Sequence, residues 1–352
     1  MMQGQYVSII RKIEKSISDR GAACMGLVVL VCSGGILAAV AAYMAISRMI
    51  NRRWLKQPSD EGKYLDSSGK KLFYRAKGKG GDHAVIILHN CGSSSMEWWL
   101  VQNEIQSARV ISFERPGYGW SSGCQASGLA SEISGIIDTI IKFERIKRPV
   151  ILVADGYASI YAHHYACTRP GQVAGVVLLN PIPVDYRHWM ASLKELKDYK
   201  FPEKTAKTRL ALSKAGLLRI FSPYKRLFGR YKYGKLIAEF HNTPAVYAAS
   251  IAERSMTEKS MEEIRESGSF PAIPVTVLFS GEEAITRQLA REGNPEKTAR
   301  QAAHIYRALS MDNLYLSPRT QVVELQDGPD PVLMEDPKGI AAHIDNMIRS
   351  IR

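Results

Sequence analysis

The 352-residue chain carries 47 Lys and Arg against 34 Asp and Glu, a formal net charge of +13, with 45% apolar and 23% charged residues. That length holds one large domain with core enough for an eight-stranded sheet, plus an added segment, and the apolar and charged fractions are those of a globular protein. Five scattered cysteines make no disulfide framework and favour a reducing compartment; without any Cys-x-x-Cys, His-Glu-x-x-His, Gly-x-x-x-x-Gly-Lys or EF-hand pattern, no metal and no cofactor is expected.

Residues 1–20 read as a basic amphipathic segment, with Ile10, Ile13 and Ile17 recurring at helical spacing beside Arg11, Lys12 and Lys15. Residues 21–47 contain no charged side chain, and this stretch of 27 residues exceeds the ~20 that a helix needs to cross a bilayer core. A cleaved signal peptide has a shorter apolar core, so the reading is a single-pass transmembrane helix and a membrane location. Arg48, Arg52, Arg53 and Lys56 follow the span without acids, whereas Glu14 and Asp19 offset the cluster before it, which leans the large domain toward the cytoplasmic face. A linker is predicted over 48–62.

Beyond it, Tyr64 to Tyr74 reads as a hairpin turning at Ser67-Ser-Gly69. Strands are predicted at 85–89, 110–113, 150–153, 173–179, 275–279 and 322–325, separated by helical stretches such as 129–143. Strands alternating with helices imply an α/β fold with a doubly wound, mostly parallel sheet, whose ligands bind beyond the C-terminal strand ends. Residues 63–183 and 269–352 form this core, and 184–268 interrupt it as a helical cap. From Arg187 to Lys235 the cap holds fourteen Lys and Arg against Glu195, Asp198 and Glu203, interleaved with Leu210, Leu217, Phe221, Leu227 and other apolar residues. Two readings stay open: contact with anionic lipid headgroups or an amphiphilic ligand, or a solvated cap whose apolar face packs over the pocket. Nucleic acid is not an expected partner, since no groove-reading or base-stacking module is present.

Four segments carry a resemblance. Pro149 to Ser159 is a buried run ending in a turn of small residues; Ala84 to Trp98 contains His89-Asn-Cys-Gly-Ser-Ser-Ser95; Phe113-Glu-Arg-Pro-Gly-Tyr-Gly-Trp-Ser121 follows the next strand; and Tyr161 to Pro181, a helix and a strand, closes the set. In chain order and at these separations they resemble the α/β-hydrolase superfamily, closest to bacterial membrane-anchored hydrolases with a Gly-Ser-Ser-Ser loop, where the family commonly reads His-Gly-x-Gly-Ser-Ser-Ser before a Trp. The resemblance implies an eight-stranded hydrolase fold with a helical cap. It also implies a nucleophile elbow of the form small-x-nucleophile-x-small-small, which places Gly156 at the nucleophile position. Matching the family's C-terminal Gly-His pair through Pro337 places Asp330 at the histidine position. The acid position falls on Glu282 or Glu283 after strand seven, with Asn180 after strand six. Asn90, Cys91 and Tyr157 fall in the ligand-binding or oxyanion loop. These departures imply a catalytically impaired hydrolase that binds an amphiphilic small molecule or a membrane partner. The alternatives are an active hydrolase in which Asp155 attacks as in epoxide hydrolases and haloalkane dehalogenases, and a membrane-surface scaffold. Asp155 and Asp330 are expected to approach one another, and Cys91, two residues from His89, is a second-rank nucleophile; a small buried thiol is the blander account. His163 and His164 lie behind the elbow, out of catalytic reach.

Overall fold

The structure, a computed structural model, describes residues 2–56, 59–67, 69–78, 83–122, 128–221, 223–325 and 333–351, with side chains at Met25 and from residue 30 onward. It forms two units, Met1–Ile50 and Asn51–Arg352. One helix, Met2–Lys56, runs through the first unit and into the second. Residues 48–56 are therefore helical where a linker was expected, since no proline or glycine interrupts Ser47 to Lys56 and Pro58 is the first breaker. Within this helix, Leu30–Lys56 is long and apolar enough to cross a membrane. The Ile10, Ile13 and Ile17 side chains lie outside the described ones.

In the second unit eight strands form one sheet in the order β1-β2-β4-β3-β5-β6-β7-β8. They are β1 Lys63–Ser67, β2 Lys70–Lys77, β3 Val85–Leu88, β4 Val110–Phe113, β5 Val150–Asp155, β6 Val173–Leu179, β7 Val275–Ser280 and β8 Thr320–Leu325. β1 and β2 form the antiparallel hairpin that joins β4, and β3 through β8 run parallel. Gly69 makes the hairpin turn with φ +76°, and its N–H donates to Asp66 Oδ1 at 3.0 Å.

Every residue of β3, β4, β5 and β7 is buried, because helices cover both faces. Ile86, Leu88, Leu152 and Ala154 point to one side, with Ile137 and Tyr161 from the helices Ala130–Phe143 and Ser159–Thr168. Val85, Ile87, Ile151 and Val153 point to the other, with Ile344 and Met347 of the helix Pro337–Ser350. Each such side chain contributes about 1.5–3 kcal/mol by leaving water.

β5 is two residues longer than predicted: Ala154 and Asp155 stay in register with Leu178 and Leu179. The apolar run signals only as far as Val153, because a small and an ionisable residue carry no hydrophobic pattern. Asp155 thus ends a strand instead of starting the turn. β8 likewise begins at Thr320, ahead of its first apolar residue.

Between β6 and β7 the described residues form seven helices, from Tyr186–Lys194 to Thr257–Glu266. Pro202 and Pro244 open two of them, at positions where the missing N–H costs nothing. Leu218, Phe228, Ile237, Phe240 and Tyr247 of this cap pack on Phe73, Trp99, Tyr118 and Trp120 of the sheet unit.

Candidate functional site

The C-terminal end of β5 turns sharply into the helix Ser159–Thr168. Asp155 is extended (φ −107°), and Gly156 takes the left-handed conformation with φ +53°. A Cβ on residue 156 would lie within 2.6–2.7 Å of the Asn90 side-chain amide. Backbone angle and neighbour therefore both select glycine.

Asn90 follows β3 in the adjacent loop. Its Oδ1 accepts two backbone N–H groups, from Cys91 at 2.7 Å and from Tyr157 at 3.0 Å. Two donors converging on one atom require the oxygen of the amide there, not its NH2. The carboxamide sits directly over the residue that has no side chain.

Arg115, after β4, fixes this loop from below. Its Nη1 donates to His89 O at 2.6 Å and its Nη2 to Asn90 O at 3.3 Å. The same guanidinium meets the cap carboxylate Glu253 twice, Nε to Oε1 at 2.5 Å and Nη2 to Oε2 at 3.0 Å. Both side chains are nearly fully buried. Tyr118 OH donates to Glu253 Oε2 at 2.7 Å and accepts from Gly92 N–H at 3.1 Å. Tyr157 OH donates to the Glu253 carbonyl at 2.9 Å and meets Thr257 Oγ1 at 2.8 Å. The cap is thus seated on the loop by a buried, multiply satisfied polar network.

Comparison with known proteins bears on this arrangement. The Cif epoxide hydrolase from Acinetobacter nosocomialis superposes with TM-score 0.61 at 15% identity, over 86% of this chain and 96% of that one. The haloalkane dehalogenase DbeA from Bradyrhizobium elkani USDA94 gives 0.57 at 16%, over 82% and 98%. The chain has the α/β-hydrolase fold. No family model matches it. In sequence it is 24% identical over 111 residues to the uncharacterized protein YqjL of Bacillus subtilis (31% of this chain, 44% of that one). It is 24% identical over 179 residues to the uncharacterized protein C23C11.06c of Schizosaccharomyces pombe (49% and 31%). The matched regions cover less than half the length of either curated relative.

Within this hydrolase fold the residues singled out from sequence separate into three groups. Asn90, Cys91, Gly156 and Tyr157 come together at the β3 and β5 ends. Asp155 is buried beside them at the strand end, one position before the left-handed turn. Glu282 and Glu283 do not join the group. They open the helix Glu282–Arg291 and engage His304 and Arg300 in a largely exposed cluster, because a helix N-terminus favours acids in its first turn. Asp330 lies outside the described residues, and with it the expected approach to Asp155.

Asn180 has a structural task. Its Oδ1 accepts from Ser280 N–H at 2.8 Å and its Nδ2 donates to Ser280 Oγ at 3.0 Å, which ties β6 to β7. Ser159 Oγ accepts from Ile182 N–H at 3.2 Å, also a tie within the scaffold. His164 is buried against Ser134 Oγ at 2.8 Å, and His163 meets the Phe270 ring edge.

The expected pocket around Cys91 and Tyr157 needs correction. Both are buried against the cap; Cys91 Sγ lies 3.6 Å from the Ser250 carbonyl and 3.8 Å from Tyr118 OH. Burial pushes the Cys91 thiol up to about 12, so it stays protonated at neutral pH and is no nucleophile. His89 faces Glu114 instead of Cys91, Nε2 to Oε2 at 3.7 Å. A small cavity of the domain is lined by Ser159, Ile160, His163, Val176, Ile182 and Phe270 among others, and by none of Asn90, Cys91, Asp155, Gly156 or Tyr157.

Sequence reading missed Arg115, Tyr118 and Glu253 as a unit. It also passed over the departure at Asn90, which stands where the resembled motif, His-Gly-x-Gly, has its first glycine. That substitution was the available signal.

Glu114 lies beneath the loop and accepts from Ser94 Oγ, Ser95 N–H and Ser95 Oγ at 2.5, 3.1 and 2.9 Å. Burial nonetheless raises its carboxyl from 4.5 to about 7. His89 is held neutral by burial and by the Arg115 charge, and its Nδ1 pairs with Asn90 O at 2.9 Å. Between pH 4.5 and 7 the folded protein keeps a proton that the unfolded chain has lost. Stability therefore falls as pH rises through that window and levels off above it. Denaturant unfolding at pH 5 and pH 8 should show this loss shrinking by about 2–3 kcal/mol in Glu114→Gln. An equal loss in wild type and variant would remove the assignment.

Proposed function

We propose that this protein is a membrane-anchored, catalytically impaired member of the hydrolase fold that acts by binding, its partner an amphiphilic small molecule or a membrane component. The observation that carries this reading is the position of Asn90 Oδ1. In this fold the oxyanion hole combines the N–H of the residue after the nucleophile with an N–H from the loop after the third strand. Tyr157 and Cys91 match those two places, and both donate to Asn90. Residue 156, at the left-handed apex, matches the nucleophile place and carries no attacking atom.

Acyl transfer needs a nucleophile beside a base and donors free to receive the developing charge. At this elbow the first is absent and the last are already bonded. The solved structures that superpose on the chain are named as an epoxide hydrolase and a haloalkane dehalogenase, which keeps an Asp155-based hydrolase as the competing account. The φ of −107° at Asp155 weighs against it, since the strained apex lies one residue later.

The test is turnover of ester, epoxide and haloalkane panels by the full-length protein in detergent and in bilayers. No turnover above the buffer rate is expected with any panel. Turnover that disappears in Asp155→Asn would overturn the binding reading. Native mass spectrometry of the detergent-extracted protein should reveal the bound amphiphile.

A further inference from the structure

We infer that Arg254 receives the head of the bound amphiphile and that this head is a carboxylate, on the reading above that the protein binds such a molecule.

Arg254 follows Glu253 on the cap helix Pro244–Ser255, and the two charges have opposite fates. Glu253 is taken up by Arg115, which leaves Arg254 without it. Among the described residues the Arg254 guanidinium has no hydrogen-bond acceptor and no ion-pair partner. It lies over the Tyr157 ring, with Cζ 5.7 Å from the centroid. That ring is held in place, since Tyr157 OH bonds to the Glu253 carbonyl and to Thr257 Oγ1. A ring face attracts a cation but takes none of the N–H donors in the plane of the guanidinium.

Arg254 stands in the interior of the domain and is nevertheless only half-buried. The surface it keeps therefore opens on a cleft within the body. Tyr186, Tyr199 and Glu292 share that condition, and all three lie within reach of its charge. Burial raises the two hydroxyls and the carboxyl, and Arg254 opposes the rise at each. The segment carrying Tyr199 is tied to the chain beyond the helix Glu282–Arg291. Lys200 N–H donates to Asn294 Oδ1 at 2.7 Å, and Thr298 Oγ1 donates to the Lys197 carbonyl at 3.2 Å. Tyr186, Tyr199 and Arg254 of the cap and Glu292 of the core thus border one cleft beside the elbow.

The charges around it select the head. Arg209 is a second half-buried cation without an ion pair among the described residues, and its charge also reaches Glu292. Glu292 pairs with neither arginine; its Oε1 accepts from Gln288 at 3.2 Å. A carboxyl that burial favours as the neutral acid competes weakly for a guanidinium. Glu258 is engaged by Arg187, and Asp155 is buried at the strand end, where its charge falls on Tyr306. An interior guanidinium gains most from an acceptor that fits its planar fork, as a carboxylate does through two parallel bonds. A neutral or cationic head would leave the charge uncompensated, and a dianionic phosphate would be set against Glu292. Tyr186 packs on Trp189 at 5.9 Å and Tyr199 on Phe201 at 4.9 Å, so aromatic surface continues from the guanidinium for an apolar tail.

The test uses the full-length protein in a non-ionic detergent at neutral pH, with octanoate and octanol as probes. By calorimetry, Arg254→Gln should weaken octanoate binding about tenfold and leave octanol binding unchanged. Arg187→Gln, at an exposed cap cation paired with Glu258, should change neither. Thermal unfolding of Arg254→Gln should match the wild type, since no hydrogen bond of that side chain is lost; a variant that unfolds would make the arginine structural and overturn the assignment. The wild type gives an independent reading. Octanoate labelled at its carboxyl should titrate at lower pH when bound than when free, by NMR, because the guanidinium favours the charged form. Equal weakening of both probes, or a bound carboxyl that titrates as it does in solution, would overturn the proposal. So would octyl phosphate if it lost more than octanoate in Arg254→Gln. If neither octanoate nor octanol binds, the amphiphile reading fails first, and the two failures are told apart.

Discussion

Gly156→Ala should lower the stability of the folded domain by about 2–4 kcal/mol, a large cost for one added methyl group. Two sources combine. A residue with a Cβ at φ +53° is strained, and the new carbon would meet the Asn90 amide within 2.7 Å. The second source can be isolated. Asn90→Gly removes the obstructing amide but leaves two buried N–H groups, of Cys91 and Tyr157, without an acceptor, at about 1–3 kcal/mol. In the double variant the methyl group enters vacated space, so the two costs should fall short of their sum by about 1–2 kcal/mol. A double-mutant cycle in denaturant measures this coupling. Additivity within about 0.5 kcal/mol would show that Asn90 and residue 156 do not share one volume.

Glu253→Ala should be the most damaging change in the cap, at about 3–5 kcal/mol, because it strands a buried guanidinium. Arg115 would keep only its bonds to the carbonyls of His89 and Asn90, and Tyr118 would lose the acceptor for its hydroxyl. Glu253→Gln keeps one acceptor and the shape, and should cost distinctly less. Hydrogen exchange locates the damage: faster exchange is expected in the helix Pro244–Ser255 and at residues 90–93, with the β3, β5 and β6 amides little changed. Uniform loss over the sheet would mean that the pair stabilises the whole domain and does not specifically seat the cap.

The parallel strands were legible because they are buried on both faces: Val85 to Leu88 and Val150 to Val153 are unbroken apolar runs between polar turns. Gly156 was legible because the elbow tolerates side chains at few positions, so Ala154, Ala158 and Ser159 fix the register around it. The polar seat of the cap was not. Glu253 stands 138 residues from Arg115 and sits in Ala-Glu-Arg-Ser, which reads as a solvated helix end. Only tertiary packing brings that carboxylate into the interior. The linker boundary was misread for a local reason, since the charged residues Arg48 to Lys56 end the apolar run without ending the helix.

One consequence concerns pharmacology. Boronates and trifluoromethyl ketones owe their potency against hydrolases to a tetrahedral oxygen that imitates the transition state, a gain that spans about 10²–10⁸-fold over substrates. On the proposed reading, the amide of residue 90 already holds the two N–H groups, of Cys91 and Tyr157, that would greet such an oxygen. Compounds selected for warhead strength should therefore fare no better on this protein than their inert carbonyl-free analogues, and any useful binder will have to be found by shape.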